Sequence, residues 1–120
     1  MNSCIDFIEE RSGEQKAILI YLYELFLQWE GVRPRMAFGI PFFYGKKWIC
    51  YLNPLKDGGV EVVFTRAREL SNANGLLEAK GRKLVMGVTY RSLTEIREES
   101  LLETWEEALA LDRATPGKGG

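Results

Sequence analysis

The groups in this chain best suited to chemistry are cations set beside aromatic rings. Residues 37–47 read AFGIPFFYGKK, with three consecutive aromatics just before two lysines. Ring faces next to ammonium or guanidinium groups suit bases and other flat anions. Phe43, Tyr44, Lys46 and Lys47, joined by Tyr51, Arg66 and Arg91, are the candidate ligand contacts. The plainer alternative is a turn with an apolar flank. Pro41 has a fixed φ and no N–H, so it ends a strand. Gly39 and Gly45 then allow tight geometry on either side, and the rings belong to the core.

Charge supports the first alternative. Residues 33–91 hold eleven Lys/Arg against four Asp/Glu, a net of +7, while the flanking segments are each at −4 and the whole chain at −1. A basic middle between acidic ends attracts anions to one side of the molecule, unless the charges are scattered for solubility. Near the C-terminus Glu95, Glu99, Glu103 and Glu107 recur every fourth residue. That spacing lines carboxylates along one helix face. Glu95, Glu99 and Glu103 are the weak candidates for a hard cation; a solvated outer face is the alternative.

Other chemistry is thinly represented. The chain has no histidine, which removes the usual general base, the Ser-His and Cys-His pairs and the commonest transition-metal ligand. Cys4 and Cys50 have no metal-type spacing. Cys50 reads as a buried small hydrophobe in a strand, and Cys4 as an exposed thiol near the start. No catalytic residue is assigned, and the chain reads as a binding domain rather than an enzyme.

These groups must be positioned by a helix, four strands and a helix. Residues 13–30 have a broad apolar face of Ile18, Leu19, Leu22, Leu25, Phe26 and Trp29. Ser12 and Gln15 stand at capping-box spacing, and Gly31 is placed to stop the helix. Strands follow at 33–39, 46–53, 59–67 and 83–91. Alternation puts Trp48, Cys50 and Leu52 on one face and Lys47, Ile49 and Tyr51 on the other. Asp57-Gly58 signals a hairpin, while Asn74-Gly75 and Lys80-Gly81 mark turns in the connection that follows. The last helix spans 94–112, with Thr94 as its cap. Its core partners are Leu22, Phe26, Leu52, Val62, Phe64, Met86, Val88, Ile96 and Trp105, together with Trp48.

Short connections make neighbouring strands antiparallel. The expected fold is therefore α+β: a two-layer sandwich, with an antiparallel sheet of about four to five strands packed against N- and C-terminal helices. The other sheet face stays open, and Gly87 leaves room against it. Residues 1–113 form one domain and 114–120 a flexible tail. The start is acidic and has no apolar core, unlike a signal peptide. The run AILIYLYELFLQW is too short and interrupted to span a bilayer. These features, with only two cysteines, far apart in sequence, point to the cytoplasm; a monomer or weak homodimer is expected.

Gly39-x-Pro41-x-Phe43-Tyr44, then Tyr51-Leu52, Val63-Phe64, Leu76, Gly81-x-Lys83 and Ile96 resemble the YdhG-like small domains of unknown function, over roughly residues 12–110. The resemblance implies a fold like that of frataxin and the YjbR-like domains, with intracellular iron binding or delivery as the implied role. Iron is the one cofactor it implies. The acidic ridge of frataxins does not map onto this chain: the first helix offers only Glu14, Glu24 and Glu30, and the first strand carries Arg33 and Arg35. The alternative function is an anion or nucleic-acid binder on the basic, aromatic-lined side of the sheet.

Overall fold

The computed structural model describes residues 3–116. Three helices, α1 (Ser3–Glu9), α2 (Gly13–Phe26) and α3 (Glu98–Ala114), accompany five strands. The strands are β1 (Arg33–Ala37), β2 (Ile40–Tyr44), β3 (Trp48–Pro54), β4 (Val60–Phe64) and β5 (Met86–Tyr90). They form one antiparallel sheet in chain order. The fold is the expected α+β arrangement, with a strand count at the upper end of the expectation.

One sheet face carries the main core. Phe43, Cys50, Leu52, Val62 and Phe64 pack with Ile18, Leu19, Leu22 and Phe26 of α2 and with Leu101, Trp105 and Leu109 of α3. Phe26 sits at the junction, stacked on Trp105 at 4.2 Å and edge-on to Phe43 at 5.4 Å. Each such side chain contributes about 1.5–3 kcal/mol by leaving water. Met86, Val88 and Ile96 are only partly buried against this cluster. Cys4, expected to be exposed, is buried in α1.

Local signals were met in part. Gly31 has φ +87° after α2, where a left-handed residue is needed, although α2 ends at Phe26 and not at residue 30. Ser12 makes no side-chain cap. Gln15 instead donates to the carbonyls of Leu55 and Gly59, tying α2 to the β3–β4 hairpin. That hairpin closes at Asp57-Gly58 as expected, with Asp57 Oδ1 accepting from Gly59 N. The last helix starts at Glu98, and Thr94 lies in a separate 3-10 turn, Leu93–Glu95.

Two departures reshape the sheet. The stretch at 37–47 is no simple turn: Phe38-Gly39 closes a two-residue hairpin and Ile40–Tyr44 is a strand between β1 and β3. Pro41 lies within that strand. It faces Met36 of β1, and pairing with β3 starts only at Phe42, so its missing N–H is tolerated. Second, Phe43 pairs with Cys50 but Tyr44 pairs with Trp48, which leaves Ile49 as an extra residue. This β-bulge reverses the alternation ahead of Cys50. Ile49 turns into the core, and Trp48 goes to the opposite face against Phe42 and Tyr44. Trp48 as a core partner of the helices is thereby corrected.

The first residues of the expected tail belong to the folded part. Ala114 is still helical, and Thr115 is buried, with its Oγ1 donating to Leu111 O and accepting from Arg66. The rest of the expected tail, 117–120, lies outside the described residues.

Candidate functional site

The helix-free face divides in two. Over β4 and β5 it is covered by the segment 78–83. Glu78 bridges to Gly87 through both backbone bonds. Arg82 then folds over the sheet and grips Glu61 with both terminal nitrogens, at 2.7 and 3.2 Å. Lys80 adds a longer ion pair at 3.8 Å. Glu61 is only 4% exposed, and a buried carboxylate without such partners is costly. Gly87 is the reason it fits: a Cβ there would lie 2.6 Å from Glu61 Oε2. The space expected above Gly87 is thus filled by the protein's own ion pair.

Over β1, β2 and the start of β3 the face is aromatic. Ring contacts run from Phe38 to Phe42 (5.8 Å), from Phe42 to Trp48 (4.8 Å) and Tyr51 (4.7 Å), and from Trp48 to Tyr44 (5.3 Å). At the far end the Arg33 guanidinium lies over the Tyr44 ring at 5.5 Å. The register explains the row. Arg33 pairs with Tyr44, Arg35 with Phe42, and Phe42 with Tyr51, so all these side chains rise on one face. The bulge brings Trp48 to join them. Phe42 is buried beneath its neighbours, Tyr44, Trp48 and Tyr51 are half-buried, and Phe38 is 91% exposed. Burial raises the Tyr51 pKa, with Arg82 pulling it down and Glu61 pushing it up. Arg33 and Arg35 make no ion pair or hydrogen bond among the described residues.

The seven expected contacts do not converge. Phe43 is wholly buried in the core against Phe26, so it cannot serve as an exposed ring. Tyr44 and Tyr51 belong to the aromatic row. Lys46 is spent on structure: its Nζ donates to the carbonyls of Arg113 and Thr115 at the end of α3. Lys47 is exposed near the Trp48 end, off the open-face alternation expected for it, because its backbone N–H is held by Asp112 Oδ1. Arg66 holds Glu69 and Thr115, and the Glu69 bond raises its pKa. Arg91 pairs with Asp57 at the opposite end of the sheet from Lys47. The Gly59 N–H, then Arg91, holds the Asp57 carboxyl below its usual range.

The weak metal candidates are dispersed as well. Glu95 precedes α3 and accepts from Arg91 N, Glu103 accepts from Asn74, and Glu99 is exposed. No group of three or more acidic or cysteine side chains among the described residues could hold a metal ion. The thiols of Cys4 and Cys50 are both pushed up by burial.

Sequence reasoning missed Arg33, Arg35, Phe38, Phe42 and Trp48 as members of one surface. A signal was available for four of them: two residues, Phe38-Gly39, between alternating runs define a hairpin, and its pairing sets both arginines beside Phe42 and Tyr44. Trp48 could not be placed without the bulge. No family model, curated protein or solved structure matches this chain. Among the described residues no helix is long and apolar enough to cross a membrane.

Proposed function

We propose that this protein is a binding domain for an anionic ligand bearing an aromatic base, received on the aromatic half of the helix-free sheet face. The observation that carries this reading is Arg33 and Arg35, without an ion pair among the described residues, beside the linked rings of Phe42, Tyr44, Trp48 and Tyr51. Rings offer a stacking surface to a base, and guanidinium forks match phosphate oxygens. Arginines that no described carboxylate neutralises also leave their charge to a ligand. The site differs from the expected one: Tyr44 and Tyr51 stay, while Arg33, Arg35 and Trp48 replace Phe43, Lys46, Lys47, Arg66 and Arg91. Iron delivery, implied by the YdhG-like resemblance, has no carboxylate cluster behind it among the described residues and is not the reading adopted. The chain has only two cysteines, far apart in sequence, which suits a reducing compartment, and we place the activity in the cytoplasm.

Titration with adenosine monophosphate at low salt tests the proposal, followed by tryptophan fluorescence. Saturable quenching is expected, weaker as salt rises. It should be lost in Trp48→Phe, since Trp105 is in the core and Trp29 packs against it. Arg33→Ala with Arg35→Ala should weaken binding. A flat titration with both the nucleotide and a short single-stranded oligonucleotide would overturn the reading.

A further inference from the structure

We infer that the ligand is a single-stranded nucleic acid laid along the β1–β2 hairpin, from the Arg33–Tyr44 end to the Phe38 tip. This deepens the proposed function and rests on its base-and-phosphate reading. The tip is the informative place. Phe38 has φ +53° and Gly39 φ +79° in a two-residue hairpin turn. Such turns favour Asn or Gly at the first position, because a bulky side chain is strained there. Phe38 also buries almost nothing, at 91% exposed. Neither turn geometry nor core packing accounts for a phenylalanine at this site, whereas a base stacked on it would.

The dimensions favour a polymer. From residue 33 to 38 a strand advances about 16 Å. A single nucleotide reaches the Arg33–Tyr44 end or the Phe38 end, not both. Between them the rings are joined through buried Phe42, with half-buried Trp48 and Tyr44 above it. Arg33 and Arg35 stand two residues apart on the same face, about 7 Å along the strand, so each can meet a separate phosphate. They also line a shallow groove of about 530 Å³ with Ser3, Pro34 and Tyr44, which carries the basic surface around the β1 edge. Stacking needs unpaired bases, so a duplex does not fit this row. The two exposed arginines of β1 complement a polyanion.

The test compares adenosine monophosphate, a deoxyadenosine octanucleotide and the same octamer annealed to its complement, on the full chain. The single-stranded octamer should bind at least about tenfold tighter than the mononucleotide, one stacked base being worth roughly that much. Phe38→Asn, which suits the turn, should melt no lower than the parent protein. It should lose about tenfold in octamer affinity, a larger factor than any loss in mononucleotide affinity. The octamer's salt slope should stay as it was in that variant and fall by about 0.7 in Arg35→Ala, the share of one phosphate on a single strand. Equal affinities for mononucleotide and octamer, an octamer affinity unmoved by Phe38→Asn, or equal binding of the duplex would each overturn the inference while leaving base-and-phosphate binding standing. Absence of binding by every probe would overturn both.

Discussion

Gly45 sits where one methyl group would be too large. A Cβ there would lie 2.4 Å from Asp112 Oδ2, and that carboxylate, itself buried, accepts from the backbone N–H groups of Lys46 and Lys47 at 2.8 and 2.9 Å. We expect Gly45→Ala to cost about 2 kcal/mol by displacing these charge-assisted bonds, measured as a shift in urea midpoint. Tyr90 is a second residue whose surroundings define its behaviour. Its hydroxyl is buried with no hydrogen-bond partner among the described residues. Burial, then the neighbouring Tyr21, pushes its pKa up to about 12. Tyr21 is raised to about 12 as well, by burial and by its hydrogen bond to Glu98. In the unfolded chain tyrosine ionises near 10. Above that pH the unfolded state releases protons that the folded state keeps, so stability is full below about pH 10 and falls as pH rises toward 12. Tyr90→Phe should flatten this decline in a series of melting curves. At neutral pH it should be neutral or stabilising by about 1 kcal/mol, because an unsatisfied hydroxyl is removed.

At the scale of elements, the bulge in β3 decides what faces the solvent. Simple alternation would bury Trp48 and expose Ile49; the extra residue does the reverse. Ile49→Ala should therefore cost about 2–4 kcal/mol, while Trp48→Phe should cost about 1 kcal/mol or less. A denaturant series that ranked them the other way would mean a regular β3. The covering segment 78–83 has its own test. Arg82→Ala strands the Glu61 carboxylate and should cost about 3 kcal/mol. Glu61→Gln in that background should recover part of it, read as a coupling in a double-mutant cycle. Neither device was legible from local pattern. β4 reads VEVVF, and its glutamate looks like a solvent-facing residue of an alternating strand. Only the approach of Arg82, twenty-one positions later, makes it an interior one.

At the scale of the whole molecule, charge and fold are separable on the β1 side. Arg33 and Arg35 are exposed and make no ion pairs among the described residues, so reversing both to Glu should move stability by no more than about 0.5 kcal/mol. The same change should abolish ligand-induced fluorescence quenching, because it places two negative charges beside the rings. Equilibrium unfolding and the nucleotide titration, run on the same preparation, check the two halves of that expectation. The segregation of charge seen along the chain thus finds a partial counterpart in space. Arg66, Arg82 and Arg91 are engaged by internal ion pairs and Lys46 by the end of α3, so the charge left for a ligand beside the rings comes from Arg33 and Arg35.

By itself the sequence determined what depends on near neighbours. The apolar stripe of α2, the Asp57-Gly58 hairpin, the positive-φ stops at Gly31, Gly75 and Gly81 and the α+β order all follow from spacing within a few residues. So did the attention to residues 37–47, whose Tyr44 does reach the candidate face. The tertiary structure alone decided which ring of that stretch is core and which is surface. Phe42 and Phe43 are adjacent and chemically identical, and only the pairing of β2 with both β1 and β3 sends Phe43 to the helices and Phe42 to the arginines. Strand parity carries no absolute sign until a partner strand supplies it, and one inserted residue, Ile49, is enough to reverse it.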